Sequence, residues 1–152
     1  MIAFEKSVGA VIFRKEDSKI YYLLLDYGNE YWGLAKGHVE EGEKEIETLK
    51  REVAEETGIN DLEIIGNFKE TVRYSYFPKG KEKEKRHKGK TMLVFKKAVY
   101  YLAETKTKDI NLSREHFGFV WLPLEDAITR ITYKSPKKVL EKANKFLEKN
   151  SE

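Results

Sequence analysis

Residues 37–59 run Gly-His-Val-Glu-Glu-Gly-Glu-Lys-Glu-Ile-Glu-Thr-Leu-Lys-Arg-Glu-Val-Ala-Glu-Glu-Thr-Gly-Ile. The pattern predicts a helix from about Lys44 to Thr57. Ile46, Leu49, Val53 and Ala54 give it an apolar face to lay on a sheet. Gly58 follows at the place of a left-handed cap. Glu52, Glu55 and Glu56 fall at i, i+3 and i+4 and share another face. Three like charges on one face repel, so folding alone gives no reason to gather them. A bound divalent cation supplies the reason, because hard cations such as Mg²⁺ take carboxylate oxygens as ligands.

Strand patterns surround this helix. Ser7–Arg14 is a nearly continuous apolar run, which suits a strand covered on both faces. After a turn at residues 16–19, Ile20–Leu25 reads as its antiparallel neighbour. Residues 26–30 break that strand, and Tyr31–Ala35 leads into Lys36. Ile64-Ile65 and then Phe68–Phe77 read as two strands, Thr91–Ala103 as a long one and Phe117–Leu122 as the last. Residues 79–90 hold no apolar side chain to bury and read as a low-complexity basic loop. Pro123 starts a short helix through about Arg130. Ser135 and Pro136 read as the N-cap and first residue of a closing helix. Val139, Leu140, Ala143, Phe146 and Leu147 form its apolar stripe. Strands interspersed with two major helices predict one α/β/α layered domain over residues 1–152.

The chain has no cysteine, which excludes disulfides and thiolate metal sites. No apolar run approaches the roughly 20 residues needed to span a membrane. The N-terminus lacks the pattern of a signal peptide. A cytoplasmic location with no membrane partner is the expectation. The net charge of +3 is too small to argue for nucleic acid by itself.

The 37–59 stretch resembles the Nudix box, Gly-x5-Glu-x7-Arg-Glu-U-x-Glu-Glu-x-Gly-U, where U is aliphatic. Gly37, Glu43, Arg51, Glu52, Val53, Glu55, Glu56, Gly58 and Ile59 occupy all its fixed positions. Ala35 stands where family members commonly carry a proline. The resemblance implies a Nudix fold, an α/β/α sandwich with a central mixed β-sheet. It also implies a hydrolase that cleaves nucleoside diphosphates linked to another moiety, with Mg²⁺ as cofactor and Mn²⁺ as a substitute. Glu52, Glu55 and Glu56, with the carbonyl of Gly37, are the expected metal ligands. Arg51 and Glu43 are the expected supports of the box glutamates. The general base is a box glutamate such as Glu55, or Glu115 from a later loop, where an ordinary exposed carboxylate is the other reading.

Three short runs extend the resemblance to the asymmetrical diadenosine tetraphosphate hydrolases of this family. They are Lys36-Gly37-His38-Val39-Glu40, Phe95 to Glu104, and Glu115-His116 ahead of Trp121-Leu122. That resemblance implies phosphate contacts from Lys36, His38 and Lys96, and stacking on adenine from Tyr74 or Tyr76 and from Tyr133. Each tyrosine has a second reading as a packing residue, and His38 as a loop hydrogen-bonder. Residues 79–90 read as a solvated hairpin or as a clamp over a long phosphate chain or an RNA 5′ end. The function expected is hydrolysis of a nucleotide polyphosphate, diadenosine tetraphosphate giving ATP and AMP. The alternatives are an oxidised deoxynucleoside triphosphate, ADP-ribose or an RNA 5′-triphosphate end, the last bringing a nucleic-acid partner. A non-catalytic nucleotide sensor is the reading from another class, and the intact box argues against it.

Overall fold

The computed structural model describes residues 1–90 and 92–150. Its centre is β1 (Ile2–Glu16), longer at both ends than its apolar run suggests. Its second half pairs antiparallel with β2 (Lys19–Gly28), Phe13 opposite Tyr22. Asp17 and Ser18 make the tight turn between them with positive φ. β3 (Tyr31–Gly33) continues from β2, and β4 (Ala35–His38) pairs with the first half of β1, Gly37 opposite Val8. The segment before the box helix is therefore strand, not a plain lead-in.

The box helix is α1 (Glu45–Thr57), closed by Gly58 at φ 78°, whose N–H donates to the Ala54 carbonyl. The two strands expected over 64–77 are one, β5 (Glu63–Tyr76), with a register shift between Ile64 and Lys69 around Gly66 at φ 58°. β6 (Leu93–Glu104) pairs with β5 antiparallel and with β1 parallel. The expected start of that strand, Thr91, lies outside the described residues. β7 (Gly118–Leu122) pairs with β2. The main path of the mixed sheet is β3-β2-β1-β6-β5, with β4 on β1 and β7 on β2.

Residues 79–90 depart from the expected loop. They form α2 (Gly80–Lys85) and a 3-10 turn over Arg86–Gly89. Arg86 anchors them, its two guanidinium nitrogens each 3.0 Å from a carboxylate oxygen of Glu5. Its Nη2 also donates to the Tyr76 hydroxyl at 3.2 Å. This charge-assisted fork does what apolar burial does elsewhere.

Helices cover both faces of the sheet. On one, Leu49 and Val53 of α1 pack with Val8, Ala10, Ile12, Leu23 and Leu25. On the other, α3 (Leu124–Arg130) and α4 (Lys134–Asn150) cover Val11, Phe13, Tyr22, Leu24 and Leu102. α4 begins at Lys134, so Ser135 lies within its first turn and is not the N-cap. The alternation of β1, even residues toward α1 and odd toward α4, makes this an α/β/α sandwich.

Candidate active site

Arg51 organises the box. Its guanidinium lies 3.0 Å from Glu43, 3.0 Å from Glu52 and 3.4 Å from Glu55. Glu43 in turn accepts the backbone N–H of Glu40 at 2.9 Å and so closes the loop before α1. One rigid cation thus fixes a brace and two carboxylates.

Glu52 rests on the backbone of β4. A Cβ on Gly37 would stand 2.4 Å from Glu52 Cγ, so only glycine fits there. Glu56 is 7% exposed. Burial pushes its carboxyl up to about 7, and the charges of Glu52, Glu115 and Glu55 push the same way. The loop after β6 is tied to the end of α1: Asn111 N–H donates to the Thr57 carbonyl at 2.8 Å and Ser113 N–H to the Glu56 carbonyl at 3.0 Å. This brings Glu115, exposed and far along the chain, into the field of Glu56.

His116 from that loop is 9% exposed. Its Nε2 approaches Glu56 Oε2 at 3.3 Å, yet neither ring nitrogen has hydrogen-bond alignment with a partner. Burial pushes its imidazolium down against the pull of Glu115, so the ring is held toward its neutral form.

Could these residues hold a divalent cation? Among the described residues no three acidic or histidine side chains already enclose a common point. Arg51 draws Glu52 and Glu55 toward itself, and Glu56 turns to His116. The donor set nevertheless fits a hard cation. It offers three carboxylates on one helix face, one of them unfavourable as an anion for lack of a counter-charge, beside a glycine that admits close approach.

A file of rings leads from this cluster to a cavity. Tyr27 meets His116 edge-on at 4.8 Å, stacks on Tyr31 at 4.8 Å, and Tyr31 meets Tyr133 at 5.0 Å. The cavity holds about 600 Å³, and its lining includes Tyr31, Lys36, Tyr74, Tyr76, Lys96 and Tyr133. Burial and then the charge of Lys96 press the Lys36 ammonium down, the signature of two cations sharing one hollow. Lys96 is 3.7 Å from Glu5 and lies over the Tyr76 ring. Tyr76 donates to Glu82 of α2 at 2.6 Å, which places α2 at the rim.

Five of the six residues expected at the substrate thus line one cavity. His38 is exposed and outside the lining, on the Glu5 side. Sequence reasoning missed Tyr27, Tyr31 and Tyr100, which the sheet register brings into the file and the cavity wall. It noted His116 only as Glu115's neighbour. The one available signal was the density of tyrosines on β2, β3 and β6.

A mixed sheet between helices, with an Arg-braced acidic helix against a glycine strand, defines a class of pyrophosphate hydrolases. The chain belongs to the Nudix family, residues 3–146 matching the NUDIX domain, and it is a Nudix hydrolase. Members of this family generally use a divalent metal. The chain is 34% identical to the asymmetrical bis(5′-nucleosyl)-tetraphosphatase of Sus scrofa, covering 93% of this chain and 95% of the relative. It is 36% identical to the enzyme of the same name from Caenorhabditis elegans, over 93% and 96%. Its fold matches the crystal structure of a C. elegans Ap4A hydrolase binary complex with a TM-score of 0.77 and 35% identity, over 95% and 98% of the two chains.

Proposed function

We propose that the protein hydrolyses diadenosine tetraphosphate asymmetrically, to ATP and AMP, with Mg²⁺ as the cofactor. The observation that carries this reading is the 600 Å³ cavity, where two lysines, one of them next to Gly37 of the box, meet five tyrosines. Such a cavity suits a ligand with stackable rings and a long anionic chain. The relatives named for the same reaction support it.

In this reading Glu52, Glu55 and Glu56 hold the cation with the Gly37 carbonyl. When bound, the cation offsets phosphate charge and makes a water more acidic. Arg51, braced by Glu43, holds Glu52 and Glu55 in register. Lys36 and Lys96 offset the charge of the polyphosphate. Tyr74 and Tyr133 take the faces of an adenine, with Tyr76 beside them; Tyr74 is 42% exposed and open to such a partner. Water adds to a phosphorus, the anhydride P–O bond to the departing nucleotide breaks, and the water's proton passes to a carboxylate. Glu115 is assigned that proton, because it is solvent-exposed and lies in the field of Glu56.

The test is a substrate panel with Mg²⁺ and chromatographic separation of products. ATP and AMP from diadenosine tetraphosphate are expected. Two ADP, no turnover, or faster turnover of ADP-ribose, an oxidised deoxynucleoside triphosphate or 5′-triphosphorylated RNA would overturn the assignment.

A further inference from the structure

The face of the sheet that carries α1 has a second hollow. Two ranks of side chains floor it. Lys6, Lys97 and Arg73 stand opposite one another on β1, β6 and β5. Phe4, Phe95 and Ser75 form the next rank. The hollow measures about 650 Å³ and all six residues line it. Glu5, Tyr74 and Lys96 also border it, but side chains alternate along a strand, so the Tyr74 and Lys96 side chains serve the tyrosine cavity on the opposite face.

Neither rank is explained by folding. Like charges directly opposite one another weaken a sheet. Lys6 spends its charge on Glu45 at 2.5 Å, and Lys69 shares that carboxylate at 3.3 Å. Arg73 and Lys97 have no carboxylate partner among the described residues. Phe4 is 79% exposed, yet it is ordered against Phe95, with centroids 5.4 Å apart and planes 14° from parallel. A flat aromatic platform beside unpaired cations is complementary to one chemistry in particular: unpaired bases that stack on rings, joined by phosphates that pair with cations. An anionic membrane would need the apolar side chains on a convex surface, whereas Phe4 and Phe95 floor a concavity.

We propose that this face binds single-stranded nucleic acid, with bases stacked on Phe4 and Phe95 and phosphates held by Lys97 and Arg73. The site is separate from the hydrolytic one and needs neither the box nor the tyrosine cavity.

The test uses the full chain without divalent cation and a ten-nucleotide oligouridine with a 5′-hydroxyl and a 3′ fluorophore, followed by anisotropy. Binding that weakens as salt rises is expected. Phe4→Ala weakens it about tenfold, as loss of a stacking ring does. Arg73→Ala with Lys97→Ala weakens it at least tenfold and lowers the salt slope by about 1.4, the value for two single-strand phosphates. Both variants keep wild-type hydrolysis, and the charge variant melts no lower than wild type, because it removes a repulsive pair. The proposal is overturned if the oligonucleotide does not bind, or if both variants bind as wild type does. It is also overturned if Tyr74→Ala, on the opposite face, removes binding while Phe4→Ala does not. Loss of binding to phosphatidylserine vesicles in these variants, with oligonucleotide binding unchanged, would make the face a membrane surface instead.

Discussion

Glu52 lies against the α-carbon of Gly37, so close that a Cβ there would overlap its Cγ at 2.4 Å. One strand and one helix are thereby held at backbone contact where the acidic face begins. Gly37→Ala forces Glu52 out of this seat. The expected cost is about 1–3 kcal/mol of stability from overpacking. Affinity for Mg²⁺ is expected to fall at least tenfold, about 1.4 kcal/mol. Isothermal titration with Mg²⁺ checks it, and an unchanged affinity would separate Glu52 from the cation.

Arg51 makes its three contacts with one planar fork. A lysine brings the charge but not the geometry. Arg51→Lys is therefore expected to lower kcat about tenfold, roughly 1.4 kcal/mol in the barrier, with KM little changed. The ion pairs are partly exposed, so thermal stability should fall by less than about 1 kcal/mol. A variant with wild-type kcat would show that the carboxylates hold their places without the fork.

The box was legible because its parts sit within one helix, one short strand and the short loop between them, where spacing fixes the face of each helical side chain. Glu43, Arg51, Glu52 and Glu55 meet as the pattern implies. The cavity was legible only in part. Tyr31 and Tyr100 join Tyr74 and Tyr133 through strand register and the approach of α4, which no local pattern records. The order of residues 79–90 was hidden for the same reason. Arg86 finds Glu5 across 81 positions, and a Lys- and Glu-rich run carries no periodic sign of that partner. The N-cap expected at Ser135 missed by two residues, since the helix already starts at Lys134, and local propensity is a weak guide to the end of a packed helix.

Glu56 makes stability depend on pH and on the cation. Burial first, then Glu52, Glu115 and Glu55, raise its folded pKa to about 7. The unfolded chain binds fewer protons between the ordinary carboxylate value and 7, so stability falls as pH rises through that window. Without divalent cation the loss is complete above about pH 7 and amounts to roughly 3 kcal/mol. Glu56→Gln should therefore melt higher than wild type at pH 8 in a chelator, and about equally at pH 4.5. Mg²⁺ should raise the wild-type melting temperature more at pH 8 than at pH 6, because protons compete with it below 7. Melting curves at these pH values, with Mg²⁺ or chelator, decide the matter. A wild-type profile flat from pH 5 to 8 in chelator would sink it.

Arg86 is expected to tune substrate affinity without touching the chemistry. Its fork on Glu5 and its bond to Tyr76 hold α2 at the cavity rim. Arg86→Ala removes both and leaves Glu5 with Lys96 as its remaining ion-pair partner, now 3.7 Å away. Lys96 should close on Glu5 and leave the cavity less positive. KM for a dinucleoside polyphosphate is then expected to rise several-fold while kcat stays near wild type, since the box is untouched. Stability should fall by about 1–3 kcal/mol, the range for a charge-assisted hydrogen bond to a half-buried partner. Residues 80–89 should become sites of faster tryptic cleavage, because the strap keeps the Tyr76–Glu82 bond but has lost its fork on Glu5. Arg86→Lys should restore little, as an ammonium cannot span both carboxylate oxygens and the tyrosine hydroxyl together. Full recovery of KM by that lysine would mean that charge alone, and not the fork, holds the strap in place.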